Sequence, residues 1–233
     1  MERILIKFTK NNEARFISHL DTMRTLQRAF RRAGIKVAYS KGYNPHPSLS
    51  IAAPLSLGIS SNGEYADVEL SEYIPQEEFI KRLNEQLPQG IQVLKVIYIE
   101  KKLPPSMSAV MGAEYHIKLK HNLKFEDLTD VVNRIMSSKE IIKEKKTKTG
   151  VKMVNIRPLI RDIAIKAWNV DSVVFKCYLC AGSRYNLNPE IIVDVLKEYS
   201  ENRIYGFPEI VREDIYSIED EKWIVLDEYF SGK

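Results

Sequence analysis

The stretch FISHLDTMRTLQRAFRRAG, residues 16–34, has the apolar period of one amphipathic helix, with a start signal and a stop signal. Ser18 followed by Asp21 predicts the start, because both side chains suit the free amide groups of a first helical turn. Gly34 predicts the end, since glycine readily closes a helix at its C-terminus. The side chains predicted to face the core are Leu20, Met23, Leu26 and Phe30.

A basic ridge runs along another face of this helix. Arg24, Arg28 and Arg31 are spaced i, i+4 and i+7, so they line one side, away from the apolar stripe. His19 lies in the first turn, beside amide groups that attract anions. A solvated basic face is the more common outcome for arginines alone. The sequence that follows the helix favours a polyanion-binding surface instead.

That sequence is KGYNPHPSLS, residues 41–50, a loop stiffened by two prolines. Each proline fixes its own φ angle and favours an extended residue before it, so Pro45 and Pro47 restrict the whole loop. The loop concentrates side chains that can hydrogen-bond or stack: Lys41, Tyr43, Asn44 and His46. Together with Arg24 and Arg28 they are the predicted binding residues. An ordered turn between two strands is the alternative interpretation.

Strand-like alternation flanks the helix and the loop, and a second helix pattern then leads into another strand. The order β-α-β-β-α-β repeats in the second half, where a turn at residues 147–150 adds a β-hairpin. We therefore predict an α+β chain of two tandem ferredoxin-like units. The predicted divisions are an N-terminal domain at 1–103, a C-terminal domain at 112–217, and an acidic tail at 218–233 that docks on the second domain. A tail that binds a partner is the alternative.

Charge is distributed unevenly along the 233 residues. The net charge is +4, yet residues 1–50 hold ten Lys or Arg against three Asp or Glu, a balance of +7. A local basic segment can steer phosphate-bearing partners even when the whole chain is near neutral. No apolar run approaches the ~18 residues of a membrane helix, and the opening MERILIKFTK lacks the apolar region of a signal peptide. Both observations predict a cytoplasmic protein without a membrane partner.

Cys177 and Cys180 form a single CxxC within a strand-like segment, which turns the two thiols to opposite faces. A structural zinc site needs about four ligands, and the sequence offers no second CxxC or nearby histidine pair. We therefore expect neither a metal nor a cofactor. Two further binding candidates are Arg157, within NIRPLIRD, and Arg184, which precedes a predicted helix start whose amides suit a phosphate.

Similarity to one family is carried by three blocks of sequence. They are FISHLDTMRTLQRAFRRAGIKVAYSKGYNPHPSLSIAAPLSLGISSNGEYADVEL (16–70), NIRPLI (155–160) and GSRYNLNPEIIVDVL (182–196). With these blocks the chain resembles the radical-SAM-linked protein family, a domain of unknown function that is fused to, or encoded beside, cobalamin-type radical SAM proteins. The resemblance implies a radical SAM protein as partner. Since the chain lacks a CxxxCxxC cluster motif, we do not expect it to be the radical enzyme itself.

Three hypotheses of different classes follow. The first, which is favoured, is an accessory binding module of a radical SAM system that recognises RNA or a nucleotide-bearing substrate and is not itself an enzyme. The second is a metal-independent ribonuclease of the CRISPR RNA-processing type, with His19 and His46 as general base and acid on a ribose 2′-OH. The third is a scaffold that binds only its partner protein. RNA binding across salt, followed by a search for cleavage, separates the three.

Overall fold

The computed structural model describes residues 1–99, 103–147, 150–183 and 185–231, and the chain is α+β, as predicted. The strands are β1 (Glu2–Lys10), β2 (Leu49–Ile51), β3 (Ser60–Leu70), β4 (Val93–Ile99), β5 (Gly112–His121), β6 (Ile142–Thr147), β7 (Gly150–Asn155), β8 (Ile160–Trp168), β9 (Ser172–Cys180), β10 (Ile204–Glu219) and β11 (Lys222–Val225). The helices are α1 (His19–Arg32), α2 (Gln76–Asn84), α3 (Ser106–Ala109), α4 (Phe125–Ser137), α5 (Pro189–Tyr199) and α6 (Leu226–Ser231). None of the helices in these described ranges is long and apolar enough to cross a membrane.

The chain divides into two compact units. Unit 1 comprises Met1–Met111 and Arg212–Lys233, and unit 2 comprises Gly112–Val211. The chain therefore returns to unit 1 inside β10, whereas the predicted divisions placed 112–217 in the second domain and docked the tail there. The physical reason is apolar burial: α6 packs against β1 and β4 of unit 1. Lys101 and Lys102, near the end of the predicted N-terminal domain, lie outside the described residues.

In unit 1, β1 lies between β3 and β4 and is antiparallel to both, while β2 pairs antiparallel with β3. Residues 212–215 of β10 also run beside β3, where Ser61 Oγ donates to the Arg212 carbonyl at 3.2 Å. Alternation along β1 sends Ile4, Ile6 and Phe8 to one face of the sheet. There they form the main core of the unit with the apolar sides of α1 and α2.

The opposite face of this sheet is also covered. Leu5 of β1 and Ile97 and Ile99 of β4 are buried on this opposite face, because strand alternation points them away from the main core. α3 packs against β2 and β3, and α6 against β1 and β4, with Leu226 and Phe230 buried. Unit 1 therefore buries both faces of its sheet.

In unit 2, β9 pairs antiparallel with β5 on one side and with β8 on the other, and β10 lies beside β5. Ile117, Phe175 and Leu179 are buried on one face of this sheet. α5 begins at the Asn188 cap, whose side chain accepts from the Glu190 amide at 3.1 Å. The predicted additional hairpin is confirmed as the β6–β7 pair, and its turn residues 148–149 lie outside the described residues.

A candidate nucleic-acid interface beside helix α1

Helix α1 separates an apolar side from a basic side. Ser18 caps the helix and accepts a hydrogen bond from the Asp21 amide at 3.1 Å, and Gly34 follows the C-terminus with φ of +64°, both as predicted. The buried residues are Thr22, Leu26, Ala29 and Phe30. Leu20 was expected in the core but is 64% exposed. At about 100° per residue it points more than a quarter turn away from the centre of that buried set.

The proline loop closes on itself. Ala38 accepts from the Ser48 amide at 2.7 Å, and the Ser40 amide donates to the His46 carbonyl at 2.8 Å. The His46 amide donates in turn to Ser40 Oγ at 3.0 Å. These bonds pair the segment before the loop with the segment after it and leave residues 41–46 as an exposed tip. The paired segments form one wall of a groove.

That groove, which we call the α1 groove, lies in unit 1 between α1 and the paired segments and has a volume of about 400 Å³. Phe30, Ile35, Val37 and Leu49 supply apolar surface, of which Phe30, Ile35 and Leu49 are buried. Its lining residues are Arg24, Gln27, Arg28, Phe30, Arg31, Ile35, Lys36, Val37, Tyr39, Pro47 and Leu49.

Four cations and no acidic residue line the α1 groove. Two of the cations have carboxylate neighbours outside the lining: Arg24 lies 3.2 Å from Asp21, and Lys36 lies 3.5 Å from Glu72. Both pairs are exposed, so water and salt weaken them. The Ser18 hydroxyl and then Arg24 lower the pKa of Asp21.

Arg28 and Arg31 form no ion pair with any acidic residue in the described ranges. The groove is therefore electropositive.

The predicted site residues fall into groups. Arg24 and Arg28 line the α1 groove, whereas the tip residues Lys41, Tyr43, Asn44 and His46 are exposed beyond its lining. His19 is half-buried at the start of α1. Sequence reasoning missed Tyr39, which is 56% exposed at the groove wall, and Lys36. Both residues lie in the extended segment before the proline loop. The sequence predicted that segment but not its pairing with the segment after the loop, which places the two side chains at the groove.

The two arginine candidates of the second half differ. Arg157 Nη1 donates to the Ile160 carbonyl at 2.8 Å, and Nη2 donates to the Met136 carbonyl at 2.6 Å. These bonds satisfy the carbonyl at the end of α4, which is a structural role. Arg184 lies outside the described residues.

A second polar constellation, which sequence reasoning missed, lies inside unit 1. Lys7 Nζ is 2.6 Å from Asp214 Oδ2, and Lys95 Nζ is 2.9 Å from Asp227 Oδ2. The Tyr65 hydroxyl donates to Asp214 Oδ1 at 2.6 Å and approaches Asp227 Oδ1 at 3.3 Å. No local sequence pattern predicts these contacts, because the partners are up to 207 residues apart.

Titration behaviour agrees with a structural role for this constellation. Burial raises the pKa of Tyr65, and the Asp214 charge adds to the effect, so the hydroxyl stays protonated. Burial also raises the pKa of Asp214, against the opposing hydrogen bond from Lys7. For Asp227, burial favours a higher pKa, but the Lys95 hydrogen bond and the Lys7 charge bring it below its ordinary value. The constellation fixes β10 and α6 to the strands of unit 1.

The cysteines do not form a metal site with other described residues. Cys177 is fully buried and Cys180 half-buried, and both are free thiols. Burial raises the pKa of both thiols. Within the described ranges, no group of three or more His, Cys, Asp or Glu side chains is arranged to hold a metal ion.

In the native protein, an aromatic disulfide reagent is expected to label Cys180 slowly and Cys177 only on unfolding, because the thiolate is the reactive form and burial disfavours it. The two rates are separated by repeating the labelling on Cys180→Ser and Cys177→Ser. Rapid native labelling of Cys177, or stoichiometric zinc that disappears in Cys177→Ser, contradicts this structural role.

Comparisons with known proteins give a family and distant structural similarities, including the following two. A crystal structure of a Cbf5-Nop10-Gar1 complex contains a chain 12% identical, with a TM-score of 0.49 over 97% of this chain; the protein spans 54% of that chain. The acetolactate synthase small subunit from Thermotoga maritima is 11% identical, with a TM-score of 0.25 over 97% of this chain and 99% of that one. TM-scores this low do not establish a common fold.

No curated protein matches the sequence. A family profile, in contrast, matches residues 3–189, which include α1, the proline loop and all four cations of the α1 groove. The chain therefore belongs to the family described as uncharacterized protein conserved in bacteria (DUF2344).

Proposed function

We propose that the protein is an accessory binding module of a radical SAM system, and that the α1 groove recognises RNA or a nucleotide-bearing substrate. One observation carries the proposal: four cations line a groove with apolar surface, and no carboxylate shares the lining. Guanidinium groups suit the forked recognition of phosphate. The apolar surface and Tyr39 suit the packing of a base.

Both units are ferredoxin-like in this proposal. In unit 1 the first and third strands, β1 and β3, are central, with β4 and β2 outside them. In unit 2 the corresponding central strands are β5 and β9, with β10 and β8 outside them. Two interlocked β-α-β pairs give this order. Because α3 and α6 cover the second face of the unit 1 sheet, the ligand surface of that unit lies on the side of α1 and α2.

The radical SAM partner rests on the resemblance of residues 16–70, 155–160 and 182–196 to the radical-SAM-linked family. A binding module without its own cluster motif suits the presentation of a substrate to a separate enzyme. Affinity purification of the tagged protein from its native cells is expected to recover a radical SAM protein. Recovery of unrelated partners only, with no radical SAM protein, contradicts this part of the proposal.

The ribonuclease hypothesis has less support. A general base and acid need imidazoles held in defined positions near the reacting atoms. In the described part of the chain, neither the His19 nor the His46 side chain has a hydrogen-bond partner. His46 is also exposed on the loop tip, beyond the lining of the α1 groove. The binding function is therefore the better supported of the two.

Filter binding of single-stranded RNA across a range of salt concentrations tests the groove. Arg24→Ala and Arg28→Ala should each reduce the log–log salt slope by about 0.7, the change for one phosphate contact to a single strand. Tyr39→Ala should weaken binding by about 1–3 kcal/mol without a change of slope, because it removes stacking rather than charge. Lys41→Ala reports whether the loop tip contributes a contact of its own.

Lys222→Ala is the matched control, since it removes one exposed positive charge of unit 1 in β11. It should leave both affinity and slope close to those of the unaltered protein. Equal slopes for the control and the groove variants contradict the groove proposal and favour the scaffold. Shortened RNA on a denaturing gel, lost in His19→Ala, favours the ribonuclease.

A further inference from the structure

The sheet of unit 2 has two unlike faces. Strand alternation buries Ile117 of β5 and Phe175, Cys177 and Leu179 of β9 on one face. On that side α4 packs against β8, and α5 packs against α4. The intervening residues of both central strands point to the other face, where most of the side chains remain partly exposed and Glu114 is buried. Within unit 2, no described helix is packed on this second face.

Contacts identify the side chains of the second face. The antiparallel register sets His116 of β5 opposite Lys176 of β9. Lys166 of β8 reaches the same face, because its Nζ lies 3.1 Å from His116 Nδ1. Lys118 Nζ lies 3.2 Å from Glu209 Oε1 of β10, which brings that strand onto the face as well.

Two aromatic rings accompany these lysines. Tyr178 follows Lys176 at the next position on the same side of β9, and Lys176 Nζ lies 4.9 Å from the centre of its ring. Phe207 precedes Glu209 on the same side of β10 and is 99% exposed. A fully exposed phenylalanine on a strand presents its whole ring to a ligand. We call Lys118, Lys166, Lys176, Tyr178, Phe207 and His116 the exposed sheet face of unit 2.

The charge of this face is positive on balance. Lys120 follows Lys118 on the same side of β5, so four lysines stand against three acids: Glu114, Glu209 and Asp162, which lies opposite Tyr178 in the β8–β9 register. Glu114 is buried, and it holds Lys176 at 3.4 Å and His116 at 2.9 Å. The Lys118–Glu209 pair is exposed and therefore weak. Lysines interleaved with the exposed ring of Phe207 and the half-buried ring of Tyr178, on an edge and a central strand, suit single-stranded nucleic acid, whose unpaired bases can stack.

We propose that the exposed sheet face of unit 2 binds single-stranded RNA, with bases stacked on Phe207 and Tyr178 and phosphates bound by Lys118, Lys166 and Lys176. This surface lies in a different unit from the α1 groove. The inference adds a second RNA-binding surface to the one in the proposed function. It rests on the proposed function only in taking RNA as the ligand. Stacking selects unpaired strands, so duplex RNA of the same sequence is a poor ligand for this face.

Fluorescence anisotropy with a labelled single-stranded oligonucleotide tests the face in the full-length chain. Phe207→Ala should weaken binding roughly 5- to 150-fold, the range for the loss of one stacked base. Lys118→Ala combined with Lys166→Ala should lower the log–log salt slope by about 1.4, which is two contacts of about 0.7 each. Lys139→Ala is the control, because it removes one positive charge from an exposed lysine in the segment after α4. It should change neither the affinity nor the salt slope.

The same measurements in an Arg24→Ala, Arg28→Ala background separate the two surfaces. Residual binding that disappears when Phe207→Ala is added supports the sheet face, whatever the fate of the groove. Loss of all binding in the groove variant, with no effect of Phe207→Ala or the lysine pair in the unaltered chain, overturns this inference and leaves the groove proposal standing. Equal affinity for duplex and single strand, or ultraviolet crosslinks that exclude β9 and β10, also overturns it. Phe207 is exposed, so its substitution does not threaten the fold.

Discussion

Arg212→Met is expected to destabilise the protein by about 3–5 kcal/mol, because it leaves a carboxylate buried without its partner. Arg212 and Glu64 are 2% and 3% exposed. Arg212 Nε lies 2.7 Å from Glu64 Oε1, and Nη2 lies 2.5 Å from Oε2, which makes the pair bidentate. Nη2 also donates to the Ala53 carbonyl at 2.9 Å. The pair joins the returning part of β10 to β3 and to the segment after β2.

Lys10 is a buried cation whose charge interacts with Glu64, so it is a candidate to replace the lost charge. Its Nζ donates to the Ile17 carbonyl at 2.9 Å, so its hydrogen bonding is already directed elsewhere. Burial lowers the pKa of Lys10; the charge of Glu64 opposes this effect and that of Arg212 adds to it. Lys10 can soften the penalty of the substitution but cannot reproduce a bidentate pair.

Urea denaturation followed by circular dichroism measures the effect. Combining Arg212→Met with Glu64→Leu should recover most of the lost stability, since removing both charges of a buried pair is often nearly neutral. Lys36→Met serves as the control because its pair with Glu72 is exposed, and the expected change is within about 1 kcal/mol. An Arg212→Met variant as stable as this control shows that the pair is not buried in solution.

Local sequence signals predicted the elements well. The Ser18 cap, the following Asp21 and Gly34 each act within a turn of their own position, so they fix α1 without knowledge of the rest of the chain. Period-two alternation predicted the strands for the same reason, and the hairpin of β6 and β7 joins segments only a few residues apart. In these cases the information is local.

Partner choice between distant segments could not be predicted. Arg212 meets Glu64 across 148 residues, and Asp214 meets Lys7 across 207, with nothing in either neighbourhood to indicate the pairing. In returning the chain to unit 1, these contacts act together with the apolar burial of α6 against β1 and β4. The β-α-β-β-α-β order alone placed residues 112–217 together, although the grouping changes after Val211.

The candidate site shows the same division. The i, i+4, i+7 spacing placed Arg24, Arg28 and Arg31 on one side of α1, and all three line the α1 groove. Lys41 and Tyr43 were chosen for their chemistry in a rigid loop, yet they lie on its tip, beyond the groove lining. Tyr39 was missed, because its place depends on the pairing of the segments before and after the loop.

Phe230 tests whether the C-terminal segment is part of the fold or a free acidic tail. The side chain is 1% exposed in α6, next to Leu226, which is fully buried. Arg3 Cζ lies 5.9 Å from the centre of its ring, and Asp227 of the same helix is held by Lys95 at 2.9 Å. Apolar packing and ion pairing therefore act together on this short helix.

Phe230→Ala is expected to cost about 3 kcal/mol of unfolding free energy, because truncating a buried phenylalanine loses its transfer free energy and leaves a cavity. The low end of the usual range is appropriate, since a terminal helix can move to fill part of the space. Glu228→Ala, an exposed position in the same helix, is the control and should change stability by less than about 0.5 kcal/mol. Thermal and urea unfolding give both values. If the two variants are equally stable, α6 is not packed on β1 and β4 in solution, and residues 218–233 act as a tail available to a partner.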